Sequence, residues 1–292
     1  MEDNVTMRLL VTGSNGFIGQ ELVKRLLGEG YTLRTFDRTA SASTEWEHVA
    51  GDLRDVFTVR RVVQGVDAVV HLGAMSSDRR NAADEVLAVN VQGTWNVLQA
   101  CAEAGVGRVV YFSSINALGC VGGHRPPEYL PLDDFHPRHP MTPYQLSKHL
   151  AEEVCRSYTE RYGIITICFR PVFVVNTAQP FPWWRRVPAE MRAEWGKDEL
   201  WAYVDLQDVC DAVLLALKAE GVQHDAFLLS AADTTIDIPT IELVQKYWSH
   251  LPWRGDLTAY VADNPYRALI DTSHATQVLG WQAKRSWRDE MK

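Results

Sequence analysis

Two side chains four residues apart, Tyr144 and Lys148 in MTPYQLSKHLAEEV, have the types and spacing to move a proton. Thr142 is a helix-capping residue and Pro143 suits a first helical turn, so both side chains project from one face of a helix, about one turn in. A free tyrosine, with a pKa of about 10, is a poor base at neutral pH; an ammonium beside it favours the phenolate and makes proton exchange with an alcohol feasible. Tyr-x-x-x-Lys is a common spacing by chance. The pair therefore takes its meaning from the elements that must position it.

The amino-terminal stretch MRLLVTGSNGFIGQELVKRLLGEGYTLRTFDR is an apolar run, a glycine-rich turn, an amphipathic segment and a second apolar run ending at Asp37, which predicts a βαβ unit. Gly13, Gly16 and Gly19 stand three apart. That pattern allows a tight turn, close approach of backbone to a pyrophosphate, and tight packing of helix on strand, with the helix amides facing the phosphates. Asp37 follows Gly19 by 18 residues, where a carboxylate accepts hydrogen bonds from ribose hydroxyls and repels a 2′-phosphate. This favours NAD as cofactor, while Arg38 next door leaves NADP open, since a guanidinium pairs with that phosphate.

Together these residues resemble the extended short-chain dehydrogenase/reductase family, the group often labelled NAD-dependent epimerase/dehydratase. The resemblance runs through TGSNGFIG at 12–19, GDLRD at 51–55, HLGA at 71–74, NVQGTWNVLQA at 90–100, FSSINALG at 112–119 and YQLSK at 144–148. Six motifs in order are far more specific than any one. FRPVFVV at 169–175, AYVDLQDVCDAVLLAL at 202–217 and DTSHATQVLGWQAKRSW at 271–287 agree more loosely.

The resemblance implies an oxidoreductase. Tyr144 would be the general acid/base as hydride moves to the nicotinamide, Lys148 would lower its pKa and hold the nicotinamide ribose, and Ser114 would hold the reacting oxygen. Ser113 is the neighbour that competes with Ser114; adjacent side chains on a strand face opposite ways, so one of the two reaches the site. The cofactor set is Gly13, Asn15, Gly16, Phe17, Ile18, Gly19, Asp37, Arg38, Asp52, Leu53, Leu72, Gly73, Ala74 and Asn90 with Tyr144 and Lys148; Asn90 is assigned support of helix and strand geometry rather than chemistry. The substrate set is Ser76, Ser114, Asn116, Phe173 and Arg185. Nucleotide-sugar members of the family usually carry an asparagine where this chain has Phe173, which weakens a UDP-sugar reading. In length, and in HLGAMSS and SSINALG, the chain is more similar to uronate dehydrogenases. Trp183, Trp184 and Trp195 could stack on a sugar, and Arg185, Arg186 or Arg192 could bind a carboxylate or phosphate. The expected activity is hydride transfer from a secondary alcohol of a sugar or sugar acid. The alternatives are an epimerase retaining its NAD and a non-catalytic, cofactor-sensing binding protein.

Composition permits this. At 292 residues and 46% apolar content a substantial core can form, and a net charge of −8 gives no general attraction to nucleic acid or anionic membranes. No apolar run approaches the roughly 20 residues of a membrane span, and the acidic MEDNVTMRLL is unlike a secretory signal, so a cytoplasmic location is expected. Five cysteines with no Cys-x-x-Cys fit reduced thiols. His71, ending an apolar strand, reads as a core histidine, and His124, His136 and His139 beside Asp133 and Asp134 lack a zinc pattern, so no metal is expected.

Strands are predicted near 7–12, 31–36, 67–71, 108–112 and 164–170, and helices at 17–28, 83–104 and 143–161. The fold class is α/β: a doubly wound parallel sheet of Rossmann type with a small mixed α/β substrate lobe towards the carboxy terminus. The dinucleotide-binding domain is expected over 1–170, its sheet rejoined by about 201–230, with 171–200 and 231–292 forming the lobe. Family members often pair through the helices corresponding to 83–104 and 143–161, so a homodimer is allowed.

Overall fold

The first strand of the chain, β1 (Arg8–Thr12), shows no polar alternation: Leu9, Leu10 and Val11 are all fully buried. A strand covered on both faces reads as a continuous apolar run, and β1 lies at the centre of a sheet. The computed structural model describes residues 7–41, 45–77, 79, 81–178 and 187–289. Its main sheet has seven strands in the order β3-β2-β1-β4-β5-β6-β9. These are β2 (Thr32–Asp37), β3 (Glu47–Ala50), β4 (Ala68–His71), β5 (Arg108–Phe112), β6 (Ile165–Pro171) and β9 (His224–Leu229), and the pairs β1–β2, β2–β3, β1–β4, β4–β5 and β5–β6 are parallel. The chain works outward from β1 to β3 and then crosses to β4 on the other side, which leaves a crevice at the carboxyl ends of β1 and β4.

By contact density the chain divides into two units: 1–113, 142–169 and 213–226 in the first, and 114–141, 170–212 and 227–292 in the second. Residues 114–141, read above within the 1–170 stretch, cluster with the second. The core of the first unit joins Leu10, Val69 and Val109 of the strands to Val59 and Val62 of α2 (Val56–Val63), Val97 and Leu98 of α4 (Gly93–Ala104), and Ala151, Cys155 and Tyr158 of α5 (Pro143–Tyr162). Helix α1 (Phe17–Gly28) starts at Gly16 with no capping side chain, whereas α5 starts with a capping box, Thr142 Oγ1 accepting from the Gln145 N–H and the Gln145 side chain accepting from the Thr142 N–H. The predicted helix at 83–104 is α3 (Ala83–Leu87) and α4 joined through a wide π-type turn at Ala88–Gln92, which carries Asn90 inward.

In the second unit, β7 (Phe173–Val175) and β8 (Tyr203–Asp205) form their own two-stranded parallel sheet, so the expected return to the main sheet across 201–230 is made by β9 alone. The 171–200 stretch, assigned above to the lobe, holds β7 and α6 (Ala189–Gly196). Val175, Tyr203, Ala231 and Trp287 pack together, and the Asp233 carboxylate takes hydrogen bonds from Tyr203 Oη, Ser286 Oγ and Arg288. No helix of the described residues is long and apolar enough to cross a membrane.

Candidate active site

At the carboxyl end of β1 the chain turns at Gly13, whose φ of +70° is a conformation that glycine adopts without strain. A Cβ on Gly13 would lie 2.6 Å from the backbone nitrogen of Gly73, and one on Gly19 would lie 2.2 Å from the Gly13 carbonyl oxygen. Both glycines are thus required for the first turn of α1 to seat against the ends of β1 and β4. The loop opens on a cleft of about 350 Å³ lined by Gly13 and Gly16, by Phe36, Asp37 and Arg38 after β2, by Gly51, Asp52, Leu53 and Arg54, and by Leu72, Gly73, Ala74, Met75 and Ser76 after β4.

The cleft fits a dinucleotide. The α1 amino terminus has no capping side chain and no acidic residue in its first turn, leaving amides and a positive dipole end for a phosphate. Ser14 Oγ, buried in the same loop, has no hydrogen-bond partner among the described residues. Asp37 is preorganised: its carboxylate accepts from the Asn15 N–H at 3.0 Å and from Thr39 N–H and Oγ1 at 3.0 and 3.1 Å. Asp52 is gripped by the Arg54 guanidinium, which also holds the Asp52 carboxyl below the usual carboxylate range. Arg38 and Arg54 both reach the cleft; only Arg38 was anticipated, although Arg54 stands in the GDLRD motif.

Of the expected cofactor residues, Asn15, Phe17, Ile18, Gly19, Asn90, Tyr144 and Lys148 do not line this cleft. Asn15 acts through Asp37 and through its own amide, which donates to Thr39. Asn90 is buried; its side chain accepts from the Met75 N–H at 2.7 Å and donates to the Met75 carbonyl and to Ser147 Oγ. It thereby fixes the backbone beside Ser76. His71 is fully buried between two threonines. Thr94 Oγ1 gives its proton to the Asn90 carbonyl at 2.6 Å, so it accepts from His71 Nε2–H, and Nδ1 accepts from Thr12 Oγ1 at 2.6 Å. Burial, and then the Lys148 charge, push this imidazole down to about 3.

Tyr144 and Lys148 lie within the first two turns of α5, with the ammonium 6.0 Å from the centre of the Tyr144 ring. Lys148 is 2% exposed; Nζ donates to the Phe112 carbonyl at 2.7 Å and lies 3.5 Å from Tyr111 Oη. Burial lowers its pKa to about 8, an effect that the Glu152 carboxylate partly offsets. Ser113 is committed: its hydroxyl donates to Glu152 Oε1 at 2.6 Å. Ser114, in the second unit, starts a short 3₁₀ turn (Ile115–Leu118), and its Oγ accepts from the Asn116 N–H at 3.2 Å and the Asn116 side chain at 3.4 Å. Phe173 is a 60% exposed residue of β7. Arg192 of α6 is buried, 3.8 Å from Asp237, and Trp195 is exposed. Arg185, Arg186, Trp183 and Trp184 lie outside the described residues. Of the loop histidines, His136 accepts from the Glu128 N–H and His139 meets the Glu128 carboxylate at 2.9 Å.

Known proteins resemble this chain in sequence and fold. The profile of the NAD dependent epimerase/dehydratase family matches residues 9–229. A uronate dehydrogenase of Pseudomonas putida is 36% identical over 166 residues, which are 56% of this chain and 59% of that protein. The sterol demethylase protein B of Methylococcus capsulatus is 31% identical over 245 residues, 79% of this chain and 71% of that protein. A short-chain dehydrogenase/reductase superfamily protein from Agrobacterium tumefaciens, crystallised with bound NAD, superposes with a TM-score of 0.74 at 27% identity, covering 96% of this chain and 94% of that one.

Proposed function

The chain belongs to the NAD dependent epimerase/dehydratase family, and from that premise we propose that it is an NAD-dependent dehydrogenase acting on a secondary alcohol of a sugar or sugar acid. The observation that carries the proposal is the Tyr144/Lys148 pair, whose buried ammonium is anchored to the end of β5 and stands beside the phenol. NAD, when bound, supplies the hydride acceptor. Gly13, Gly16 and the α1 amino terminus, which line the cleft, would hold its pyrophosphate, Asp37 would take the adenosine ribose hydroxyls, and Asp52 and Leu53 would contact the adenine. Tyr144 takes the hydroxyl proton of the alcohol as its C–H hydrogen leaves with both bonding electrons, and Lys148 stabilises the phenolate that can accept that proton. Ser114 hydrogen-bonds the same substrate oxygen.

A free sugar acid is favoured within this class. Phe173 offers no side-chain hydrogen bond at the position where nucleotide-sugar enzymes usually place an asparagine, and Ser76 and Asn116 offer polar groups to a uronic acid, whose carboxylate is assigned from the sequence to Arg185. The 36% identity to a uronate dehydrogenase points the same way, although the match spans 59% of that protein. The test is a panel of uronic acids, free sugars and UDP-sugars read by near-ultraviolet absorbance of reduced nicotinamide. The expected result is net NADH from at least one uronic acid. Conversion of a sugar epimer without net NADH indicates an epimerase, and turnover of no compound with either NAD or NADP defeats the dehydrogenase reading.

A further inference from the structure

Helix α5 grips the end of β5 at two successive residues. Lys148 Nζ donates to the Phe112 carbonyl at 2.7 Å, and one turn further along the helix Glu152 Oε1 accepts from Ser113 Oγ at 2.6 Å. Lys148, Glu152 and Ser113 are all nearly fully buried. Glu152 and Lys148, spaced i and i+4, would on an open helix form an ordinary solvated pair contributing a few tenths of a kcal/mol. Inside the protein the same carboxylate has been removed from water at considerable cost, and a carboxylate so placed needs donors and a nearby cation.

The groups facing Lys148 come from several elements. Tyr111 of β5 and His71 of β4 contribute no negative charge: burial pushes the Tyr111 phenol well above its ordinary value, and His71 stays neutral above about pH 3. Cys155 of α5 and Cys168 of β6 are buried thiols, Tyr144 is the phenol the lysine serves, and His224 of β9 lies within the field of Glu152 rather than of Lys148. Among these groups Glu152 is the carboxylate. Ser113, to which it is bonded, is covalently joined to Ser114.

On the dehydrogenase reading above, we propose that Glu152 is a positioning residue for proton transfer: its carboxylate is the counter-charge that keeps buried Lys148 an ammonium, and through Ser113 it clamps the strand end that leads into Ser114. It acts through these neighbours, without touching the substrate.

Glu152→Gln keeps the shape and an acceptor for Ser113 but removes the charge; Ser113→Ala keeps the charge and removes the bond. With the uronic acid found active, the alkaline limb of kcat/KM against pH is expected about one unit lower in Glu152→Gln, so that activity at the parent's alkaline midpoint falls about fivefold. In Ser113→Ala the limb stays in place and kcat falls severalfold. Lysine side-chain NMR reads the same event without substrate: the resonance lost in Lys148→Met titrates at lower pH in Glu152→Gln and unshifted in Ser113→Ala. A Glu152→Gln profile and titration that superpose on the parent's overturn the proposal, as does a Ser113→Ala variant that matches the parent in kcat and in limb. If Glu152→Gln does not fold by circular dichroism, Ser113→Ala decides. An inactive Tyr144→Phe alongside an unmoved Glu152→Gln sinks this proposal alone; an active Tyr144→Phe sinks the dehydrogenase reading, and the lysine titration still decides the counter-charge.

Discussion

Tyr144 and Lys148 divide their work by burial. The ammonium is held in the interior by a carbonyl, so on the proposed mechanism the phenol beside it is the group that exchanges a proton with an alcohol. Tyr144→Phe should lower kcat by about 10²–10⁴-fold while leaving NAD affinity within a few fold, because a positioned acid/base contributes on that scale. Steady-state kinetics with calorimetric NAD binding checks this, and a Phe variant within tenfold of the parent removes Tyr144 from the chemistry. His71 has the opposite role. Its folded pKa of about 3 lies below the 6.5 of a free imidazole, so between those values the unfolded chain binds a proton that the folded protein refuses. Stability is therefore full above pH 6.5 and falls as the pH drops towards 3. From pH 7 to pH 4 the parent should lose roughly 3 kcal/mol more than His71→Gln in urea unfolding, at about 1.4 kcal/mol per unit. Parallel losses in the two proteins would show that His71 does not hold this burden.

At the scale of elements, the glycine turn and α5 set the site, and both were legible. Gly13, Gly16 and Gly19 mark a local backbone requirement, and Thr142, Pro143 and Gln145 mark a helix start, so each leaves a signal within a few residues of itself. Gly19→Ala places a methyl 2.2 Å from the Gly13 carbonyl and must prise α1 from the loop; NAD affinity by calorimetry should fall at least about tenfold. Unchanged affinity would mean the loop yields. Thr142→Ala should cost about 1 kcal/mol of stability in denaturant unfolding, and no measurable loss would show that the cap is redundant. What could not be read lies in pairings over long separations. Ser113 and Glu152 are 39 residues apart, and Glu152 four residues after a lysine looks like a surface partner. Strand β3 is four residues with mixed polarity at the sheet edge, too short for a period to show. Strand β8 carries an apolar run that suits a main sheet; its pairing with β7 is a tertiary choice. Asp208 holds the backbone of Lys284 and Arg285 across more than 70 residues, which local sequence does not announce.

At the scale of the whole molecule, α4 and α5 carry exposed apolar side chains on their outer surface. Leu146, Leu150, Val154, Tyr158 and Tyr162 recur every four residues along α5, and Leu146, Leu150 and Tyr162 are exposed. Trp95 of α4, half exposed, meets the buried Tyr158 edge-on at 5.4 Å, and Tyr158 stacks on the exposed Tyr162 at 5.3 Å, so a core ring links the exposed apolar residues of the two helices. An apolar band of this extent is better covered than left in water, and a two-fold axis beside α4 and α5 would lay the same stripe against itself as a four-helix contact. Light scattering at micromolar concentration should therefore give about twice 33.0 kDa, that is 66 kDa. Because the contact is apolar, the dissociation midpoint should change little with added salt. Leu150→Arg sets like charges against each other across the axis and should return the mass to 33.0 kDa with the helical circular dichroism intact. A parent already at 33.0 kDa in the same buffer would show that the stripe is tolerated in water, and the interface would have to be abandoned.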